Sequence, residues 1–364
     1  MSKLELLYAK SVEIIKKYQS DFGLYIASPN FENYKFCWLR DSTFIADSMN
    51  MSGNHKSSRL YYLGINKIIK KRKDKVENLI KNYKKSGVII SNNMMPARFT
   101  LKGKQTNTEW SEYQLDGYGI WLWGLSNHLE ITNSKELLDS EFRESVDLVL
   151  EYLKCFWNKP NYDCWEENGN KIHSSTIGCI YGGLNSIGSL RGGKELWDFC
   201  QGMKKYLLNN CVKNGYITKF VGTDLVDSSL LWLFTSFKLL GGSDELMLNT
   251  IGKIEHDLLN SGLKRYTSDE YYGGGEWPLL TSFLGWVYVT LGRLKDAEKM
   301  LNNVANCFDE NYLLPEQVPI NLNFPEKYHY WKNKWGEIAN PLLWSHAMYI
   351  ILYCLLQKER NNEG

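Results

Sequence analysis

The sequence predicts an all-α fold, a closed double ring of six helical hairpins, or (α/α)6 barrel. Three observations carry this reading. Apolar residues recur at i, i+3 and i+4 along most of the chain. Proline is scarce, with 8 in 364 residues. Finally, the connections between periodic stretches alternate between short and long. The stretches are 3–18, 41–52, 55–82, 112–131, 134–157, 174–189, 194–211, 226–241, 243–260, 277–292, 293–307 and 340–357. Asp41, Ser134, Ser174 and Asp227 with Ser228 stand at or beside helix starts, where N-caps belong. Gly53, Gly192 and Gly292 stand near helix ends. Connections after the even-numbered stretches are a few residues each. Those after the odd-numbered stretches are long: 19–40, 83–111, 158–173, 212–225, 261–276 and 308–339. In an up-down array, alternate connections emerge at the same end, so the six long loops should gather there. Long ordered loops in a compact fold usually carry function. No linker-like stretch divides the chain, so residues 1–364 read as one domain.

Composition narrows the ligand. Lys plus Arg is 43 and Asp plus Glu is 41, a net charge of +2. Such balance argues against a nucleic-acid or anionic membrane partner. The longest apolar run, Met348 to Leu356, is too short to span a bilayer. The eight cysteines are scattered without a Cys-x-x-Cys pair, and the start lacks a signal-type apolar core. Reduced thiols and a cytoplasmic location are therefore expected. Neither a metal-ligand spacing, a P-loop nor a dinucleotide fingerprint is present, so no metal and no cofactor is expected. Aromatic residues, however, are abundant: 13 Trp, 23 Tyr and 14 Phe. Trp and Tyr each bring a polar group that needs a partner. In a near-neutral chain this points to stacking on a flat, polar, uncharged ligand such as a sugar.

The long loops interleave Trp with carboxylates. They hold Tyr34 through Asp41, Trp110 through Gly117, Trp165-Glu166-Glu167, Arg265 through Trp277, and Pro315-Glu316-Gln317 followed by Trp331, Trp335 and Trp344. Glycoside hydrolysis needs one acid to protonate the leaving oxygen and a second carboxylate on the other face of the ring. Apolar walls raise the acid's pKa by desolvating its charged form. Spacing alone does not select which carboxylates react. Other features have structural readings. Trp121, Trp123, Trp232 and Trp286 lie inside periodic stretches and read as core, and His346 reads as a hydrogen-bonded packing residue. The basic run 67–85 reads as a solvated helix face. Glu112 and Glu276 are candidate pocket residues without an assigned role, and Trp335 and Glu337 are candidates for its outer part.

Six motifs, in order across residues 34–347, resemble glycoside hydrolase family 15, the glucoamylase-type enzymes. They are Tyr34-x-x-x-Trp38-x-Arg40-Asp41, Trp110 with Gln114-x-Asp116-Gly117, and Trp165-Glu166-Glu167. Then follow Arg265-Tyr266-x-x-Asp269-x-Tyr271-Tyr272 with Trp277, Pro315-Glu316-Gln317, and Pro341-Leu342-x-Trp344-Ser345-His346-Ala347. The resemblance implies an (α/α)6 barrel and an inverting, exo-acting α-glucosidase releasing β-glucose from small α-glucosides. By position it makes Glu166 the general acid and Glu316 the general base. Glu167 would touch the leaving sugar, and Arg40, Asp41 and Arg265 would hold the terminal glucose. Tyr34, Trp38 and Trp110 would form aromatic walls, and Trp277 and Trp344 match further substrate-binding positions. The matched motifs include nothing of the N-terminal β-sandwich domain or starch-binding domain of some members, so neither is expected here. A small intracellular malto- or isomalto-oligosaccharide is the expected partner. A trehalase of the same family and a non-catalytic sugar-binding regulatory module are the alternatives. An inverting pair should stand about 6.5–9.5 Å apart to admit water.

Overall fold

The computed structural model describes residues 2–106 and 108–363. Thirteen α-helices run through them: α1 (Lys3–Lys17), α2 (Leu39–Met51), α3 (His55–Lys70), α4 (Lys73–Ser86), α5 (Asp116–Ile131), α6 (Arg143–Phe156), α7 (Ser174–Arg191), α8 (Lys194–Asn210), α9 (Glu245–Leu258), α10 (Pro278–Thr290), α11 (Leu294–Ala305), α12 (Pro325–Trp335) and α13 (Leu343–Glu363). Two small antiparallel pairs join loops, β1 (Cys37–Trp38) with β2 (Arg98–Phe99) and β3 (Val212–Lys213) with β4 (Tyr216–Ile217). None of the helices is long and apolar enough to cross a membrane.

The inner ring runs α2, α5, α7, the 3-10 segment Ser228–Leu233, α10 and α13, and α13 closes it against α2. Its members are buried nearly all round, because they meet neighbours on every side: Leu39 to Asn50 of α2 are all buried, polar residues included. Two of these helices approach closely. A Cβ on Gly119 of α5 would stand 2.5 Å from the Cys179 carbonyl oxygen, and one on Gly183 of α7 would stand 2.2 Å from that of Gly119. The outer helices are α1, α3, α6, α8, α9 and α11, each packed on the inner ring or an outer neighbour. They bury a single stripe, as in α11 with Ala297, Met300, Leu301 and Val304 at i, i+3, i+4 and i+7. The double ring expected from the loop pattern is the observed architecture.

Four local expectations differ. The stretch 226–241 is a 3-10 turn followed by irregular chain, not an α-helix. Residues 226–237 are buried at every position, so apolar spacing there carries no helical phase. The stretch 55–82 breaks at Lys71 and Arg72 into α3 and α4. Ile69 and Val76 remain buried seven residues apart, so the break leaves the period intact. The stretch 134–157 begins as a 3-10 turn, Lys135–Leu138, ahead of α6. Helix α12 lies inside the expected loop 308–339; it buries none of its residues fully, so it shows no stripe. Asp227 caps its segment by accepting from Ser229 N at 2.8 Å. Asp41, by contrast, sits in the first turn of α2, whose N-cap is Trp38.

Candidate active site

Five of the six long loops line one cavity of about 810 Å³. The first supplies Tyr34 and Trp38, the second Trp110, the third Trp165, Glu166 and Glu167, the fifth Arg265 and Trp277, and the sixth Glu316. Arg40 and Asp41, from the first turn of α2, and Trp344, from the start of α13, complete the expected set. Every residue to which the family resemblance gave a catalytic or substrate-binding role therefore reaches the same cavity. The fourth loop supplies no lining residue, but its Lys219 ammonium lies 3.5 Å from the centre of the Tyr266 ring.

Glu166 sits in a tight turn. Its N–H donates to the Asp163 carbonyl oxygen (2.9 Å), and Asp163 Oδ1 accepts from the N–H groups of Trp165 (3.0 Å) and Glu167 (2.9 Å). The turn holds Glu166 at φ 68°, a left-handed conformation that costs a non-glycine residue free energy and tends to occur at functional positions. Beneath it, Trp165 donates its indole N–H to Asp227, which is paired with Lys219 at 2.6 Å. The Glu166 carboxylate accepts three bonds. Trp38 Nε1 (2.6 Å) and Gln114 Nε2 (2.9 Å) reach Oε1, and Trp110 Nε1 (2.6 Å) reaches Oε2. Burial raises its pKa, while Arg40 and these donors oppose the rise.

Glu316 has a different environment. Tyr34 donates to its Oε1 at 2.9 Å, and the Tyr34 and Tyr271 hydroxyls stand 3.0 Å apart. Its Oε2 is buried without a partner among the described residues. Burial pushes its pKa up to about 7 against the opposing Tyr34 hydrogen bond and the Arg265 charge. The two carboxylates hang from adjacent rings, since Tyr34 and Trp38 pack edge to face at 5.7 Å.

The remaining polar groups form two clusters. Arg40 donates to Gln114 (2.9 Å) and Asp116 (2.8 Å), with Asp41 at 3.6 Å and Glu166 at 3.9 Å. Burial pushes Asp41 up to about 7, partly offset by Arg40. Arg265 is held bidentately by Asp269 and reaches Glu167 at 3.4 Å, while Tyr266 donates to the other Glu167 oxygen. The buried indole N–H groups of Trp277 and Trp344 have no acceptor among the described residues. Both residues line the cavity with other parts of their rings.

A model of Glycosyl hydrolases family 15 matches residues 2–313. The chain belongs to that family. It is 33% identical over 361 residues to the isomaltose glucohydrolase of Kribbella flavida, covering 97% of this chain and 93% of that one. A solved glycosidase, also seen as a variant in complex with glucose, superposes with a TM-score of 0.94. It is 32% identical, with 98% of this chain and 97% of that one covered. A bacterial glucoamylase complexed with acarbose shares the fold, with a TM-score of 0.74 at 21% identity over 96% of this chain and 55% of that one. Glu316 lies just beyond the matched span 2–313, so its place beside the family 15 motifs rests on the folded geometry.

Several residues that shape this family 15 pocket carried no separate signal in the sequence. Arg98 packs behind Trp38 and Trp110, and Lys219 with Asp227 lies under Trp165. Trp331 joins Trp335 in the cavity wall. Glu337 does not line it and instead pairs with Lys332 at 2.6 Å. Glu112 and Glu276 also stay outside. Glu112 accepts from Ala97 N (3.0 Å) and Thr106 Oγ1 (2.8 Å), and Glu276 accepts from Ser261 Oγ (2.8 Å) and Asn321 Nδ2 (2.7 Å). His346 is a packing residue bonded to Ser11 Oγ (2.9 Å) and Leu314 N (3.0 Å).

Proposed function

We propose that this family 15 chain is an inverting, exo-acting α-glucosidase that releases β-glucose from small α-glucosides, with isomaltose-type α-1,6 linkages first among them. The observation that carries this reading is the pair Glu166 and Glu316, buried in one aromatic cavity but held by separate donor sets. In the proposed reaction, protonated Glu166 gives its proton to the glycosidic oxygen. Ionised Glu316 takes a proton from the water that attacks the anomeric carbon from the opposite face. Tyr34 holds the Glu316 oxygen through its 2.9 Å bond. Arg40, Asp41 and Arg265 hold the terminal glucose, with Trp38, Trp277 and Trp344 around it. Glu167, steadied by Arg265 and Tyr266, meets the leaving sugar beside Trp110.

The 33% identity to an isomaltose glucohydrolase supports the α-1,6 preference. Initial rates on isomaltose, maltose, kojibiose, nigerose and trehalose test it. Isomaltose should give the highest kcat/KM. Trehalose as the best substrate would make the protein a trehalase, and saturable sugar binding without turnover would make it a regulatory module.

A further inference from the structure

Arg98 has no part in the reaction as described, yet it is nine-tenths or more buried beside the acid. The β1–β2 pairing sets Arg98 directly opposite Trp38. Its guanidinium carbon lies 4.1 Å from the centre of the Trp110 ring, 5.0 Å from Trp38 and 4.6 Å from Phe36. The planar group is held from behind. Nη2 donates to Thr108 Oγ1 (2.7 Å), Nη1 donates to the Asn33 carbonyl (3.3 Å), and Glu112 Oε1 stands 3.5 Å from Nε. Nε itself has no hydrogen-bond acceptor among the described residues. Burying an incompletely paired cation is costly, and an apolar residue would fill the same space without that cost. Its benefit lies in the rings, because a desolvated guanidinium attracts aromatic faces strongly. Trp38 and Trp110 meet at 71°, and each sends its N–H to a different oxygen of Glu166.

We infer that Arg98 is a positioning residue, clamping Trp38 and Trp110 so that their two N–H groups hold the two oxygens of Glu166 in register for proton transfer. This rests on the reading of Glu166 as general acid. The charged and titratable groups facing Glu166 are Arg40, Asp41 and Tyr34 on the cavity side and Arg98 behind the indoles. Losing Arg98 removes a positive charge and loosens two donors. Both changes favour the protonated acid, so the alkaline limb of the rate profile moves to higher pH.

The test compares Arg98→Met and Arg98→Lys on isomaltose and on α-glucosyl fluoride, whose leaving group departs without a proton. Arg98→Met should lower kcat on isomaltose about tenfold, within the range of general-acid effects. It should also raise the alkaline limb and cost less than twofold on the fluoride. Arg98→Lys keeps the charge but not the flat stack. It should raise the limb by less than Arg98→Met does and lower kcat on isomaltose severalfold. Equal losses of Arg98→Met on both substrates, or an Arg98→Lys enzyme indistinguishable from wild type, would overturn the inference. If Glu166→Gln were to lose equally on both substrates, the assignment of Glu166 as acid would fall with it.

Discussion

Glu166 and Glu316 show how two carboxylates in one cavity acquire different chemistry. Glu166 accepts from two indoles and an amide, all of which favour its carboxylate, whereas Glu316 accepts from Tyr34 at one oxygen and is pushed up to about 7. The productive form, with Glu166 protonated and Glu316 ionised, competes with the opposite one. As the proposed base, Glu316 acts ionised, so kcat/KM should fall as pH drops through about 7. Tyr34→Phe removes the bond that favours the ionised form, so it should move that limb to higher pH; a limb moving down would contradict the role of Tyr34. Glu166→Gln and Glu316→Gln should each cost ~10²–10⁴-fold on isomaltose. Only Glu166→Gln should keep most of its rate on α-glucosyl fluoride, and the reverse pattern would exchange the two roles. Glu166, Glu316, Arg40 and Asp41 were legible because each sits in a local motif. Arg98 was not, because its partners arrive through strand pairing across 60 residues, Trp38 opposite Arg98.

At the scale of elements, the apolar period located most helices, and misread two segments, one buried throughout and one with no fully buried residue. Outer helix α11 has one stripe and was found within about two residues. The inner segment Ser228–Leu233 is buried throughout, and its 3-10 form could not be told from an α-helix. Helix α12, with Pro325 at its first turn and no fully buried residue, could not be told from loop. Yet α12 carries two rings of the cavity wall. Trp335 stacks on Trp110 at 6.3 Å and packs against Trp331 at 4.9 Å. If this wall holds the leaving sugar, Trp335→Ala loses a stacking contact of ~1 kcal/mol. KM for isomaltose should then rise about fivefold with kcat changed less than twofold. An unchanged KM would remove Trp335 from the substrate site.

The whole molecule is a closed ring in which five of the six long loops share one cavity, and the alternation of loop lengths predicted the gathering of loops at one end. The same closure buries charge. Burial raises the pKa of Asp41, Asp47, Glu166, Glu167 and Glu316, and lowers those of His128 to about 4 and His346 to about 3. Between pH 6.5 and 4.5 the folded chain carries protons at Asp41, Asp47 and Glu316, and the unfolded chain carries them at His128 and His346. The carboxylates are the larger group, so stability should rise by about 1.4 kcal/mol per pH unit for each excess proton as pH falls. Below about pH 4 the unfolded carboxylates protonate too, and the histidines then make stability fall. Thermal melts should therefore show the highest Tm near roughly pH 5; a Tm falling steadily from pH 7 to 5 would contradict this balance. The central claim is that Glu166 and Glu316 act from opposite faces of the sugar. Anomer-resolved NMR of the first glucose released from isomaltose tests it most directly. β-Glucose should appear before mutarotation, and α-glucose as the first product would rule out inversion.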